Sequence, residues 1–335
     1  DGLPGYIIVK YRNMIVIDIH IHIKQRMTVS GGKVMKKMAL ILAMTLTVAL
    51  TGCGSGNKAA DSEKPFEGKY VVDAEYVKEH LDDITLVDAR GEDEAKKGTV
   101  KGAIATTWQY LATCEDGEAG DENWGCILDT KRLSERLGEL GLSKDKEIVL
   151  FSNAEKGWGE DGRIAWELIA AGYDNVKIVD GGIKALKAAD VEIVKEVATP
   201  EKTTVKIDSI DETHDINTEE LKSIYDECKI VDVRTDKEYN GKTLYGEANG
   251  GHLPGAIHIR YTDLFNSDST LRSVEDLTKM FEDAGLSKSD HIVTYCTGGI
   301  RSAYMQLVME MCGFENSENY DESFYRWCAV EELEK

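Results

Sequence analysis

Two hydrophobic periodicities alternate along most of the chain. Short runs rich in β-branched residues, such as EIVLF (147–151) and HIVTY (291–295), are typical of buried strands. Each is followed by a stretch with apolar residues at helical spacing, RIAWELIAAG (163–172) and RSAYMQLVMEMCG (301–313). Strands that alternate with helices in this way predict an α/β fold, in which helices cover both faces of a mostly parallel sheet. Ligands of such sheets bind beyond the carboxyl ends of the strands.

The same pattern occurs twice in the chain. Two matches share an offset of 144 residues: LVDARGEDEAKKG (86–98) with IVDVRTDKEYNG (230–241), and IVLFSN (148–153) with IVTYCT (292–297). Two more follow at nearby offsets: GTVKGAIA (98–105) with GHLPGAIH (251–258), and GYDNVKIVDGG (172–182) with GFENSENYDES (313–323). Matches in the same order and at nearly constant spacing indicate a duplicated domain.

The repeat also divides the chain. At 335 residues, the chain is long enough for about two domains of ordinary size. We predict a first domain at 66–198 and a second at 214–335. The polar stretch 199–213 would link them.

A targeting signal precedes the first domain. ALILAMTLTVAL (39–50) is an uncharged apolar run of the length of a signal-peptide core, and basic residues precede it. Residues 35–52 resemble the signal peptide of bacterial lipoproteins, which implies that Cys53 is lipidated. We expect an extracytoplasmic protein anchored to a bacterial membrane, with 53–65 as a flexible tether and 1–34 as a spurious upstream extension. A simple signal peptide or a single anchor helix is the alternative.

The chain is strongly acidic. It contains 61 Asp and Glu against 40 Lys and Arg, for a formal net charge of -21. Such a surface argues against nucleic acid as a partner and repels anions at long range. An anionic substrate would therefore need a local positive pocket. Solubility is the ordinary explanation of the charge.

One cysteine stands out by its neighbours. Cys296 directly follows the predicted strand HIVTY and precedes Gly298, Gly299 and Arg301 in the segment TYCTGGIRSAY. The two glycines permit a tight turn, whose backbone N–H groups would converge on the sulfur with those of the following helix. Such a setting, with an arginine nearby, lowers the pKa of a cysteine and makes it a nucleophile. The alternative is an inert buried cysteine, the state we expect for the other cysteines of the second domain.

Together, these segments resemble the tandem rhodanese-domain sulfurtransferases over about residues 66–335. The resemblance rests on the VDAR and VDVR strands, GHLPGAIHI, the YCTGGIRS loop, and the paired GYDNV and GFENS segments. It implies that Cys296 takes a sulfane sulfur from a donor such as thiosulfate, holds it as a persulfide and passes it to a thiol or cyanide. The substrate-binding cradle would consist of Thr297, Gly298, Gly299, Ile300 and Arg301. We expect neither a cofactor nor a metal.

The length of the cysteine loop favours sulfur over phosphate. Four residues separate Cys296 from Arg301. The phosphatases of the cell-cycle dual-specificity type, which resemble this fold, have five residues there and so a wider cradle. A phosphatase or arsenate reductase is thus a less favoured alternative. A module that binds sulfur species or a partner without turnover is the other one.

The first copy lacks this chemistry. Ser152 stands where the second copy has Cys296, and Arg163 follows it by eleven residues instead of five. A serine hydroxyl cannot carry a persulfide, so we predict that only the second domain is catalytic. The first domain would wall one side of the pocket, through the loop 153–162. A separate ligand site in that domain is the alternative.

Four residues are expected to support the site without reacting. Asp232 and Arg234 would pin the end of a strand, and His252 would be a packing residue in a turn. Glu238 would hold Arg301, which we expect to brace the loop more than to meet the substrate. The thiosulfate enzymes that this chain resembles often have a basic residue directly after the cysteine, where this chain has threonine.

An acidic insert is specific to the first copy. Cys114 and Cys126 bracket EDGEAGDENWG (115–125). Outside the cytoplasm a disulfide could close this loop, and the open alternative is two free thiols. The acidic residues fit no EF-hand spacing, so we expect a solvated loop instead of a calcium site.

Overall fold

The computed structural model of the chain describes residues 60–335. The upstream extension 1–34, the signal peptide 35–52 and Cys53 lie outside the described residues. Within 60–335, no helix has the length and apolar character needed to cross a bilayer.

The first domain has a five-stranded parallel sheet and five helices. Its strands are β1 (Val71–Val72), β2 (Thr85–Asp88), β3 (Thr99–Val100), β4 (Ile104–Ala105), β5 (Ile148–Phe151), β6 (Val176–Val179) and β7 (Ile193–Val194). Its helices are α1 (Ala74–His80), α2 (Glu92–Ala95), α3 (Thr130–Glu139), α4 (Glu160–Ala170) and α5 (Gly182–Ala188). The sheet has the order β1-β6-β5-β2-β4, and β3 pairs antiparallel with β7.

The second domain repeats this architecture. Its strands are β8 (Asp215–Ile216), β9 (Lys229–Asp232), β10 (Ile257–His258), β11 (Ile292–Tyr295) and β12 (Ser317–Tyr320). Its helices are α6 (Thr218–Ile224), α7 (Asp236–Tyr239), α8 (Val274–Asp283), α9 (Ile300–Met311) and α10 (Ser323–Val330). The order β10-β9-β11-β12-β8 is that of the first sheet taken from its other edge. The predicted duplication is therefore confirmed.

Helices cover both faces of each sheet, as predicted. In the central strand β5, Ile148 and Leu150 join the core that contains α3 and α4 residues. Val149 and Phe151 join a second core beneath α1 and α5. Successive side chains of a strand point to opposite faces, so a strand buried on both faces must be apolar throughout. This is why IVLF and its counterpart IVTY stand out in the sequence.

The two domains pack through α4 and α9. A Cβ atom on Gly162 of α4 would collide with the ring of Tyr304 of α9, so the glycine permits this close approach. The Tyr261 hydroxyl donates to the Ala154 carbonyl across the same interface, at 3.2 Å. One hydrophobic core contains buried residues of both domains. The first domain is thereby held against the loop that follows β11.

The segments outside the domains pack more firmly than their composition suggests. The described end of the predicted tether, 60–65, is not free: the Ser62 N–H donates to Asn266 at 2.9 Å, and the Ser62 hydroxyl accepts from the Ser273 N–H at 2.9 Å. These polar groups of residues 60–65 thus have partners on the second domain, and the rest of the predicted tether, 53–59, lies outside the described residues. The linker 199–213 runs along the first domain, where the Thr203 N–H donates to the Gly138 carbonyl at 2.9 Å.

Candidate active site

The cysteine loop connects β11 to α9. Gly299 has a φ of 82°, in the left-handed region that favours glycine, and α9 begins at the next residue. A Cβ atom on Gly299 would lie 2.6 Å from the Asp321 carbonyl oxygen and 2.9 Å from Nη1 of Arg163. Both the turn and the crowding around it therefore require glycine.

Cys296 lies at the bottom of this loop and is 1% exposed. Burial opposes its ionisation, but the charge of Arg301 and hydrogen bonds from the backbone of Ser302 and Gly298 outweigh that effect and lower its pKa. Burial raises the pKa of the other five described cysteines, for example to about 11 for Cys312. Among the described cysteines, Cys296 is thus the one whose surroundings favour the thiolate.

Arg301 braces the loop against Glu238. Its Nη1 and Nη2 atoms donate to the two oxygens of the Glu238 carboxylate at 3.0 Å and 2.7 Å, and Nη2 also donates to the Thr297 hydroxyl at 2.8 Å. The expected ion pair is therefore present. The Arg301 Nε atom has no hydrogen-bond partner among the described residues, and the pKa of Arg301 is raised in part by an interaction with the Cys296 sulfur.

Glu238 is held from two sides. It is the third residue of a capping box at the start of α7, where its carboxylate accepts from the Thr235 N–H at 3.0 Å. Burial raises the pKa of Glu238. The hydrogen bonds and positive charge of Arg301, together with hydrogen bonds from Thr235, nevertheless lower this pKa to about 2. Glu238 thus stays ionised and neutralises Arg301 across the pH range of ordinary assays.

We expect Glu238→Gln to destabilise the protein at neutral pH and less in acid. A carboxylate whose folded pKa is depressed contributes stability above its unfolded pKa, and loses it as the pH falls through the folded value. For Glu238, this stability is lost over the pH range from its ordinary pKa of 4.5 down to its folded pKa of about 2. The contribution at pH 7 is up to about 3 kcal/mol. Denaturant unfolding of the wild type and Glu238→Gln at pH 7 and pH 3 measures this contribution. The difference between their free energies of unfolding should shrink to about half at pH 3.

Glu220→Gln is the matched control for that experiment. Glu220 occupies the same position in the capping box of α6, but it is exposed and its carboxylate caps without an arginine. Its loss should cost about 1 kcal/mol or less at either pH. If the unfolding free energies of the wild type and Glu238→Gln differed equally at pH 7 and pH 3, the result would contradict the ion pair.

Asp232 and Arg234 fix the end of β9. The Arg234 Nη2 donates to Asp232 at 2.6 Å and to the Gly251 carbonyl at 2.8 Å, and both side chains are fully buried. His252 stacks on Tyr239, with ring centroids 3.8 Å apart, and its Nδ1 lies 3.1 Å from the Tyr239 carbonyl oxygen. These contacts agree with the structural roles expected for all three residues.

A pocket of about 360 Å³ opens above Cys296. Its walls come from both domains and include five aromatic side chains: Trp108, Trp124, Trp158, Tyr245 and Tyr325. Trp158 belongs to the loop 153–162, and its ring lies 5.0 Å from the Arg301 guanidinium carbon. The expectation that this loop of the first domain walls the pocket is confirmed. In the described part of the chain, no group of three or more His, Cys, Asp or Glu side chains could hold a metal ion.

A family model for the rhodanese-like domain matches this chain twice, at residues 73–189 and 217–330. The chain belongs to the rhodanese-like family. Its two rhodanese-like domains are the two halves of the structure, as the resemblance in the sequence implied. The catalytic loop of the resemblance lies in the second match.

Relatives of this rhodanese-like chain carry names from sulfur chemistry. A "Putative thiosulfate sulfurtransferase" of Mycobacterium leprae is 27% identical over 271 residues, covering 78% of this chain and 95% of the relative. The "Sulfur carrier protein TtuD" of Thermus thermophilus is 24% identical over 273 residues, covering 77% of this chain and 93% of the relative. The family and these names support a sulfurtransferase.

A solved structure has the same fold. The anaerobic ergothioneine biosynthesis enzyme from Chlorobium limicola, solved in complex with trimethyl histidine, superposes with a TM-score of 0.68 at 21% identity. The match covers 78% of this chain and 68% of that one. At this identity the likeness shows the rhodanese-like fold alone.

Ser152 of the first rhodanese-like domain does not face an open cradle. It is fully buried, its hydroxyl accepts from the Ala154 N–H at 3.3 Å, and it also hydrogen-bonds Asp161. The following segment forms a short 3₁₀ turn, Ala154–Lys156, before α4 begins. This surrounding agrees with a domain that does not carry sulfur.

Cys114 and Cys126 are both free thiols in the structure, so the considered disulfide is not formed. The strand-like pairing of Ala112 with Ile127 places Cys126 opposite Thr113, whose N–H donates to the Cys126 carbonyl at 2.9 Å. Cys114 is therefore one position out of register. Cys114 lies in a short 3₁₀ turn, Thr113–Glu115, whereas Cys126 directly precedes the paired residue Ile127.

The sequence analysis missed two groups of residues at this site. The first is the aromatic wall from Trp108 to Tyr325, because nothing in the repeat brings those rings together. The second is Arg163, whose Nη1 atom donates to the Gly299 carbonyl at 3.2 Å and which was noted only for its displacement from the position of Arg301. Trp124, Trp158 and Arg163 do lie in or beside stretches where the two copies differ in length, but the sequence does not show where those stretches turn.

Proposed function

We propose that this protein is a sulfurtransferase that carries a sulfane sulfur on Cys296. The observation that supports this most is the surroundings of the sulfur. A buried cysteine with a lowered pKa receives backbone hydrogen bonds from Gly298 and Ser302 beside the positive charge of Arg301. The same donors suit the terminal sulfur of a persulfide anion, because they face the base of the loop.

Sulfur transfer then proceeds in two displacements. The Cys296 thiolate attacks the outer sulfur of a donor such as thiosulfate, whose S–S bond breaks as sulfite leaves with the electron pair. An acceptor thiolate or cyanide next attacks the outer sulfur of the persulfide, and the Cys296 thiolate leaves. Each step is a simple substitution, and no external oxidant or reductant is consumed.

The role of the cradle follows from its charges. Glu238 neutralises Arg301, and Asp88 binds Arg90, the other arginine at the pocket, at 2.6 Å. Each of these two guanidinium groups is therefore already paired with a carboxylate. The single charge of a persulfide is left to the backbone N–H groups of Thr297–Arg301.

Sulfur uptake tests this function. The purified protein is incubated with thiosulfate, desalted and weighed by mass spectrometry. We expect a gain of one sulfur atom on the peptide that contains Cys296, and its loss as thiocyanate when cyanide is added. A protein that gains no sulfur from thiosulfate or from inorganic polysulfide would overturn the proposal. Stable uptake without transfer would favour a binding module, and hydrolysis of an aryl phosphate would favour the phosphatase alternative.

We also propose, from the sequence, that Cys53 carries a lipid that anchors the protein to a bacterial membrane on its extracytoplasmic side. The apolar run at 39–50 and the small residues before Cys53 support this. Expression with a labelled fatty acid should label the wild type and not Cys53→Ala. Equal labelling of both proteins would contradict the anchor.

A further inference from the structure

The two domains differ in length at three places near the pocket. The connection from β9 to β10 is nine residues longer than its counterpart from β2 to β4. The connection from β4 to β5 is nine residues longer than its counterpart from β10 to β11. The stretch between β5 and α4 is four residues longer than that between β11 and α9. Each of these three additional stretches is present in one domain and absent from the other, so the shared fold itself does not require them.

Each addition places an aromatic side chain in the same pocket. Tyr245 comes from the long connection of the second domain, Trp124 from the insert of the first, and Trp158 from the loop before α4. The rings form edge-to-face pairs: Trp158 with Tyr245 at 5.0 Å, and Trp124 with Tyr325 at 5.4 Å. Three segments that are distant in the sequence converge on Cys296. This convergence points to recognition of a substrate.

Core packing does not explain these rings. Trp158 remains 42% exposed and Tyr245 41% exposed, at the mouth of the pocket. The Tyr325 hydroxyl donates to the Tyr245 carbonyl at 2.9 Å, which ties the long connection to α10 and keeps the mouth in place. Large aromatic side chains that are exposed yet held in position around a cavity are typical of a ligand site.

The charges at the pocket favour a cation. Glu160 lines it, and the Glu160 carboxylate accepts from the Trp158 N–H at 2.9 Å. Glu247 lies behind Tyr245, accepts its N–H at 2.7 Å, and has a buried Oε1 atom without a hydrogen-bond partner among the described residues. The two arginines of the pocket are already paired with carboxylates. The Cys296 thiolate or persulfide adds a further negative charge.

We propose that the aromatic pocket binds an organic cation, and that the sulfur acceptor is a thiol whose skeleton carries an ammonium group. The inference rests on the proposed sulfurtransferase function and names the acceptor class for that site. Aromatic faces attract cations through their quadrupole, and nearby carboxylates add to the attraction. The acceptor thiolate attacks the outer sulfur of the Cys296 persulfide, the S–S bond breaks, and the acceptor leaves as its own persulfide. A volume of about 360 Å³ accommodates such a molecule.

A set of three thiols tests the charge preference. Thiocholine carries a quaternary ammonium group, 3,3-dimethylbutane-1-thiol is its neutral isostere, and 2-mercaptoethanesulfonate is an anion. Transfer from the sulfur-loaded protein is timed by mass spectrometry at equal thiolate concentrations. We expect thiocholine to react about tenfold faster than its isostere at low thiol concentration, and the sulfonate to be slowest. Equal rates for thiocholine and its isostere, or a preference for the sulfonate, would overturn the proposal.

Variants locate the preference in the structure. Trp158→Leu and Tyr245→Leu should each remove most of the rate advantage of thiocholine over its neutral isostere. Tyr76→Leu is the matched control, because Tyr76 is a partly exposed aromatic residue of α1 that stacks on His80 away from the pocket. If all three variants retain the wild-type preference, the aromatic pocket is not the cation site.

A binding measurement separates this proposal from the sulfurtransferase function. Phenyltrimethylammonium should quench the tryptophan fluorescence of the unloaded wild type in a saturable way, and benzenesulfonate should not. Trp158→Leu should weaken the binding by about tenfold. If the protein bound phenyltrimethylammonium in a saturable way but took up no sulfur, the proposed sulfurtransferase function would be wrong and the cation site would stand. Uptake of sulfur without saturable binding of phenyltrimethylammonium would overturn the cation site and leave the proposed sulfurtransferase function standing.

Discussion

Replacing Cys296 by serine is expected to lower sulfur-transfer turnover by at least about 1,000-fold, since covalent catalysis loses its only carrier. A serine hydroxyl is not ionised in this loop at neutral pH and cannot hold a sulfane sulfur. The substitution changes one atom, so the hydrogen bond from the Cys296 backbone N–H to the Ser323 hydroxyl, 2.8 Å, is kept. Thiocyanate release from thiosulfate and cyanide measures the turnover, and thermal unfolding shows that the variant is folded.

Cys312→Ser is the matched control. Cys312 lies at the end of α9, is also buried, and has its pKa raised to about 11 by that burial. Its replacement should leave sulfur uptake within about twofold of wild type after correction for folded protein, because it lies outside the loop. If Cys296→Ser kept more than a few per cent of the activity while Cys312→Ser lost it, the assignment of the carrier would be wrong.

Local sequence patterns predicted the parts of the site that depend on neighbours in the chain. The loop from Cys296 to Arg301 could be read directly, because a strand end, two glycines and a helix start follow one another. Glu238 could be paired with Arg301 because each lies in the first turn of a helix that follows one of two adjacent strands, β9 and β11. The duplicated sheet could be predicted because a strand buried on both faces has an apolar run that recurs in the second copy.

The aromatic wall could not be predicted in this way. Trp124, Trp158 and Tyr245 lie in segments that the repeat does not share, so the pattern says nothing about where those segments turn. Their meeting depends on how the two domains dock, and the docking depends on details such as the absence of a side chain at Gly162. The sequence left the pairing of Cys114 and Cys126 open for a related reason, since their spacing does not show which side chains face each other.

Arg163 links the first domain to the catalytic loop. It is fully buried, and its Nη1 atom donates to the Gly299 carbonyl at 3.2 Å and to the Asp321 carboxylate. Its Nε atom donates to Glu167 at 2.7 Å, and its Nη2 atom donates to the carbonyl of Gly125, beside Trp124, at 3.0 Å. One side chain of the first domain therefore ties together the cysteine loop, the insert and the segment that precedes α10.

Arg163→Met is therefore expected to destabilise the protein by about 3–5 kcal/mol, because it leaves two buried carboxylates without their cation. Burial already raises the pKa of Glu167 to about 7, despite the opposing effect of Arg163. Without Arg163 the folded pKa values of Glu167 and Asp321 rise further. A carboxyl group with a raised folded pKa loses stability as the pH rises above its unfolded value, so the defect should be larger at pH 8 than at pH 5. Denaturant unfolding at both pH values measures it.

Two companion variants keep this test informative if Arg163→Met does not fold. Glu167→Gln removes one of the buried carboxylates and leaves Arg163 paired with Asp321, so it should cost less than Arg163→Met. Arg163→Lys retains the charge but not the planar fork that reaches Gly125, Gly299 and both carboxylates at once. It should fold and load sulfur more slowly, because the carbonyl of Gly299 loses its donor and the cysteine loop is held less firmly. Stability and sulfur uptake at wild-type levels in Arg163→Lys would show that charge alone matters, and that the fork does not position the loop.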